Sequence, residues 1–136
     1  LMERFADHRY VRVYGTMDNP VHALNLGKVA AMLKTRHPDA YVIAVDACLG
    51  TLFKIGTLQL VAGPLEPGAG LSRKLPPVGH IHLKGVVNNC SELNPKVLDH
   101  PSLTFIHEMA AVISRTITAA VKEIAPLLAT ERAGAR

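Results

Sequence analysis

Between Gly63 and Gly79 the chain reads Gly-Pro-Leu-Glu-Pro-Gly-Ala-Gly-Leu-Ser-Arg-Lys-Leu-Pro-Pro-Val-Gly, a run that no regular element can cross. Each proline fixes φ and removes a donor, and each glycine raises the entropy lost on ordering, so neither a helix nor a ladder tolerates their repetition. Regular structure must therefore be built on either side of a long connection. A connection of this length inside a compact domain is usually functional or disordered, which makes it a candidate working loop.

Upstream, Tyr10 to Tyr14 alternates as a short strand that Gly15 ends. The turn Met17-Asp18-Asn19-Pro20 follows, with Asn19 placed to cap a helix opening at Pro20. Leu26, Val29, Ala30 and Leu33 recur at helical spacing, and His37-Pro38 stops the pattern. Tyr41 to Val45 is an unbroken apolar run closed by Asp46, the pattern of a central strand covered on both faces. Lys54 to Val61 predicts a further strand near an edge.

Downstream, Ile81, Leu83 and Val86-Val87 mark another strand, and a polar stretch runs from Asn88 to His100. Ser102 can cap a long helix whose apolar stripe is Ile106, Met109, Ile113, Ile117, Ala120, Val121 and Ile124, with fraying expected after Pro126. Leu1 to His8 reads as the last turns of an amphipathic helix with Leu1, Met2 and Phe5 on one side. The order predicts an α/β protein with helices on both faces of a sheet, one domain over residues 1–127 and a frayed tail over 128–136.

With 136 residues, 49% of them apolar, a single buried core is feasible. Aromatic content of 4% and scattered Lys and Arg behind a net charge of +4 argue against a base-stacking surface or a basic stripe, so no nucleic-acid partner is expected. Cys48 and Cys90 lack zinc-finger or redox spacing, which fits a reducing cytoplasm. No apolar run reaches the length of a membrane span, and the first residues lack the regions of a signal peptide.

In open α/β sheets the usable crevice lies beyond the carboxyl ends of parallel strands, where Asp46 is expected. A carboxylate there is solvated, paired or metal-bound, or else it caps its own turn. Asp18 and His22 would come near it if their strands were neighbours; otherwise they are a turn residue and a surface helix residue. His80 and His82, two apart on a strand, would share a face and can supply two metal ligands, a weak signal beside a four-ligand pattern. Gly68 and Gly70 would let backbone approach a ligand closely, although their spacing is neither a dinucleotide fingerprint nor a P-loop. Arg73 and Lys74 can meet an anion or simply be solvated, and Cys48 is a packed residue before it is a nucleophile.

Four ordered blocks carry a resemblance: Tyr14-Gly-Thr-Met-Asp-Asn-Pro-Val-His-Ala-Leu-Asn25, Ile43-Ala-Val-Asp-Ala-Cys-Leu-Gly50, Gly63-Pro-Leu-Glu-Pro-Gly-Ala-Gly70, and Leu75-Pro-Pro-Val-Gly79 with Ile81-His82. Together, over roughly residues 10–88, the chain resembles the YyaC family of sporulation proteins, distant relatives of spore germination protease and of hydrogenase maturation endopeptidases. The resemblance implies a three-layer αβα, phosphorylase/hydrolase-like fold with a mostly parallel sheet, in the cytoplasm of a spore-forming cell. It implies a peptidase-type role on a peptide or protein substrate, with Asp46 as a catalytic carboxylate; Asp18, His22, Gly68 and Gly70, placed by the reading of position and loop above, would then surround the substrate. It also implies a divalent metal ion, with Asp46 and His82 as ligands. A non-catalytic protein binding a peptide or partner in the same crevice is the alternative. The family's first strand and its first acid would lie before Leu1, so the resemblance implies a chain shortened at its start and a two-carboxylate mechanism that it cannot complete. Asn89-Cys-Ser-Glu-Leu-Asn-Pro-Lys96 departs from the apolar stretch expected there.

Overall fold

The computed structural model describes residues 11–67, 75–89 and 102–134, with side chains in the last helix as far as Pro126. The chain groups into two compact units, Leu1–Asn19 with Ser102–Arg136, and Pro20–Pro101. Its class is α/β, as expected. Among the described residues no helix is long and apolar enough to cross a membrane.

In the first unit, residues 11–14 form no strand, which corrects the reading of Tyr10–Tyr14. Alternation supplies a face, but a strand also needs a ladder partner. Thr16 and Asn19 close the turn that follows, the Asn19 amide donating to Thr16 Oγ1 at 2.9 Å and the Thr16 amide to the Asn19 carbonyl at 3.1 Å. No helix opens at Pro20, so Asn19 caps none and its backbone serves the turn instead.

Among its described residues this unit also holds a long helix, Leu103–Gly134. Ser102 caps it as the sequence suggests: its Oγ accepts the Phe105 amide at 3.1 Å and its carbonyl the Ile106 amide at 3.1 Å. Met109, Ile113 and Ser114 are buried, while Ala120 and Ile124 of the expected stripe are exposed. The helix carries Pro126 inside it and does not stop there. Ser102→Ala should cost about 1 kcal/mol, the usual worth of an N-cap hydroxyl, read as a lower urea midpoint with an unchanged slope.

The second unit opens with a helix at Leu26–Arg36, here α1, six residues later than expected. Asn25 explains the delay. Its Oδ1 accepts the His22 amide at 2.8 Å and its Nδ2 donates to the Pro20 carbonyl at 2.8 Å, holding residues 20–25 in a turn from which the chain enters the helix at Leu26. Lys34 and Arg36 lie in the last turn, where cations suit the dipole, and His37 ends the helix as anticipated. Leu26, Val29, Ala30 and Leu33 form a half-buried face.

Among the described residues three strands follow: β1, Ile43–Gly50; β2, Leu58–Ala62; and β3, Ile81–Asn89, in the order β1-β3-β2. The central strand is therefore β3, and the apolar run at 41–45 contributes to an edge. Burial agrees, because Ile43 and Val45 of β1 are 38% and 43% exposed, whereas Leu83 and Val86 of β3 are buried. Lys54 falls in a 3-10 turn, Leu52–Lys54, so the second strand begins at Leu58; its edge position is as predicted.

The sheet is mixed, where a mostly parallel one was expected. β1 runs parallel to β3, and β2 runs antiparallel to it. The glycine-proline connection is the cause. Its roots pair with each other, Leu65 with Val78 through bonds of 2.8 and 3.0 Å, and the Gly63 amide donates to the His80 carbonyl at 3.0 Å. The connection thus leaves β2 and returns to β3 as a hairpin, and a hairpin makes its strands antiparallel. A register shift between Cys48 and Leu49 ends the regular part of the parallel ladder.

Candidate functional site

Register decides which side chains share a face, since neighbours opposite one another point the same way and alternate along each strand. Ala44 is opposite His82 and Val61, and Asp46 is opposite Lys84 and Gln59. Asp46 and His82 therefore lie on one face of the sheet, one row apart diagonally. Ile43, Val45 and Leu60, all exposed and apolar, lie on the other.

Asp46 sits inside β1, not at its end, because the strand continues to Gly50. It is exposed, and its Oδ1 accepts the Ala47 amide at 2.9 Å. That bond is the local, backbone-directed use open to any aspartate. An ionised carboxylate has about four acceptor sites, so one such bond leaves most of its capacity.

His82 is 5% exposed. Its Nδ1 lies 2.9 Å from the Gly63 carbonyl, which can only accept, so the proton of this contact is on Nδ1. In the neutral ring Nε2 then carries the lone pair, and Nε2 is buried without a hydrogen-bond partner. His80 is different. It precedes β3, its Nδ1 accepts the Val42 amide at 3.0 Å, and its ring stacks on Tyr41 at 4.8 Å with 16° between planes. The two histidines do not form the pair on one strand that their spacing suggested.

Asp18 is exposed in the Thr16–Asn19 turn of the first unit. His22 is exposed in the turn before α1, where its Nδ1 accepts the Leu24 amide at 3.2 Å. Gly68, Gly70, Arg73, Lys74 and Cys90 lie outside the described residues, as do the expected helix turns at 1–8 and the stretch 90–100. Among the described residues no three His, Cys, Asp or Glu side chains cluster as metal ligands. Asp46 and His82 supply two donors where a catalytic metal takes about three from protein, so these residues alone do not fit a metal centre.

Residues 3–116 match the family described as "Protein of unknown function (DUF1256)". The chain belongs to this family. It is similar to the uncharacterized protein YyaC of Bacillus subtilis (strain 168), with 40% identity over 106 residues, or 78% of this chain and 52% of that protein. The chain thus spans about half the length of the curated relative it matches. No solved structure matches it.

Proposed function

We propose that the protein serves spore formation in the cytoplasm of the spore-forming cell, as a member of a YyaC-type family, and that the longer protein hydrolyses peptide bonds. In this reading the longer protein is a three-layer αβα, hydrolase-like structure, and the carboxylate of Asp46 takes the proton of a water that attacks a peptide carbonyl. The observation that supports it is the shared face of Asp46 and His82, an exposed carboxylate and an imidazole whose Nε2 has no hydrogen-bond partner. His82 holds its tautomer through Gly63 and offers Nε2 to whatever completes the site. Asp46→Asn in the longer protein should lower cleavage of a peptide library by at least about a hundredfold, the usual worth of a general base. Equal cleavage by the purified variant would remove Asp46 from the mechanism.

One observation favours a second reading. Asp46 is turned to its own neighbour's amide, which suits a protein that holds a peptide or partner without cutting it. Peptide binding that survives Asp46→Asn, with no hydrolysis by the wild type, would establish that version.

A further inference from the structure

The entry to β1 is fastened by a residue that precedes β3. The amide of His80 donates to the Val42 carbonyl at 2.8 Å, and its imidazole Nδ1 accepts the Val42 amide at 3.0 Å. His80 thereby takes both backbone groups of Val42, one through its main chain and one through its ring. Regular pairing of the two strands starts one residue later, at Ile43 and Ile81. On its other side the His80 carbonyl accepts the Gly63 amide at 3.0 Å, so the same residue ties the start of β1 to the root of the glycine-proline connection.

A ring nitrogen that accepts a hydrogen bond needs its lone pair, so the bond to Val42 requires Nδ1 without a proton. An imidazolium carries a donor on both nitrogens and would set one N–H against another. Protonation therefore breaks this bond. The ring stacks on Tyr41 at 4.8 Å with 16° between planes, and turning it over on that stack would put a carbon edge at Val42, which relieves the clash and restores nothing. His82 answers protonation differently: its Nδ1 faces the Gly63 carbonyl at 2.9 Å, an acceptor, and that bond survives when the ring gains a proton. His22 accepts the Leu24 amide on Nδ1 at 3.2 Å, but that bond stays within one turn, whereas the bond of His80 joins residues 38 apart. Tyr41, on the segment leading into β1, is the titratable side chain facing the His80 ring, and tyrosines carry no charge between about pH 5 and 8. Val42 and Gly63 bring no titratable group, and among the described residues no carboxylate or cation pairs with His80.

We infer that His80 is a pH-sensitive fastening for the entry of β1, closed while its imidazole is neutral and opened by protonation. The bond to Val42 is present at the upper end of the range in which imidazoles take up a proton, about pH 5 to 8, and is lost as the pH falls through it. His80 is exposed, so solvent protons reach its ring directly. Val42 is half-buried, and its amide then gives up a fixed partner for whatever water can reach it. The opening starts on the strand that carries Asp46, and it leaves the His82 bond at the hairpin root in place. This inference holds whether or not the longer protein cleaves peptides.

The test is nuclear magnetic resonance of the isotope-labelled 136-residue chain at about pH 8 and about pH 5, the two ends of the imidazole range, with the His80 ring resonances recording its protonation. A scalar coupling across the hydrogen bond, between the Val42 amide nitrogen and His80 Nδ1, should be present at the higher pH and absent at the lower. Protection of the Val42 amide against exchange, each value taken relative to an unstructured peptide at the same pH, should fall about fivefold, the net worth of one hydrogen bond. The Val86 amide, bonded to the Thr57 carbonyl at 3.0 Å, is the control and should keep its protection. His80→Asn retains an acceptor oxygen at the place of Nδ1 and takes up no proton, so it should protect Val42 equally at both pH values; His80→Phe keeps a ring for Tyr41 without the acceptor and should protect it at neither. A missing coupling at about pH 8, a coupling that persists once the His80 ring is protonated, equal losses at Val42 and Val86, or a Val42 response retained in a folded His80→Asn chain would each overturn the inference. The wild-type measurements decide it alone should either variant fail to fold.

Discussion

Replacing Gly79 by alanine should lower stability by about 2–4 kcal/mol, through backbone strain and a collision together. Gly79 has φ +97°, a conformation that side-chain-bearing residues rarely adopt. A Cβ there would stand 2.9 Å from the Ile81 carbonyl oxygen and 3.2 Å from both the Cβ and the amide nitrogen of Ala44. Two of those atoms are backbone and cannot rotate away. The position is also structurally central, because Val78 pairs with Leu65 while His80 bonds to Val42, so Gly79 re-aims the chain from the hairpin root toward the β1 edge. Gly63 supplies the control. Its φ is +94°, but a Cβ would meet nothing within 4 Å, so Gly63→Ala should cost only the strain, about 1–2 kcal/mol. Urea unfolding of both variants reads the difference, and equal losses would show that the close approach around Gly79 relaxes without cost.

How much of this was legible in the sequence depended on whether a feature was local. Ser102 capping a helix and His37-Pro38 ending one are decided within a few residues, and both stand as read. Strand order is not local. Tyr41–Val45 reads as a central strand because it is uniformly apolar, yet among the described strands it is β3, interrupted by His82 and Lys84, that has partners on both sides. The delayed start of α1 was hidden for a related reason: the Asn25 side chain reaches back to His22 and Pro20, and nothing in its spacing announces that.

The candidate site divides the same way. Asp46 and His82 were named from residue type and from a family resemblance, and the register then puts them on one face. Asp46 at a strand end was wrong because β1 extends through Gly50, which no pattern in Asp46-Ala-Cys-Leu-Gly50 signals. Lys84 and Gln59 read in the sequence as ordinary half-exposed positions of alternating strands, and only the register puts them in the row of Asp46. The available signal was parity: Lys84 is two residues from His82 and must share its face. Its partners become visible only when the register is known.

Gly50 and Val86 should be energetically coupled, with Val86→Ala partly relieving the damage done by Gly50→Ala. Val86 is fully buried on β3, so truncation to alanine should cost about 2 kcal/mol in lost burial and cavity. A Cβ added at Gly50 would lie 2.8 Å from Val86 Cγ1 and 3.5 Å from Cγ2, but 3.8 Å from Val86 Cβ. The Cγ1 methyl is therefore the obstacle, since the contact with Cγ2 is an ordinary one, and a β-branched side chain held in the core cannot readily turn it aside. Alone, Gly50→Ala should cost about 1–3 kcal/mol by overpacking. With Val86→Ala present, the new methyl meets only ordinary van der Waals contact and fills part of the space vacated. The double variant should thus be more stable than the sum of the single losses predicts by about 1 kcal/mol or more, within the range seen for residues in contact. A cycle of urea midpoints on the four proteins measures it. Strict additivity would mean that the end of β1 moves away from β3 when Gly50 is enlarged, and that the register shift beside Cys48 and Leu49 already gives the strand freedom to do so.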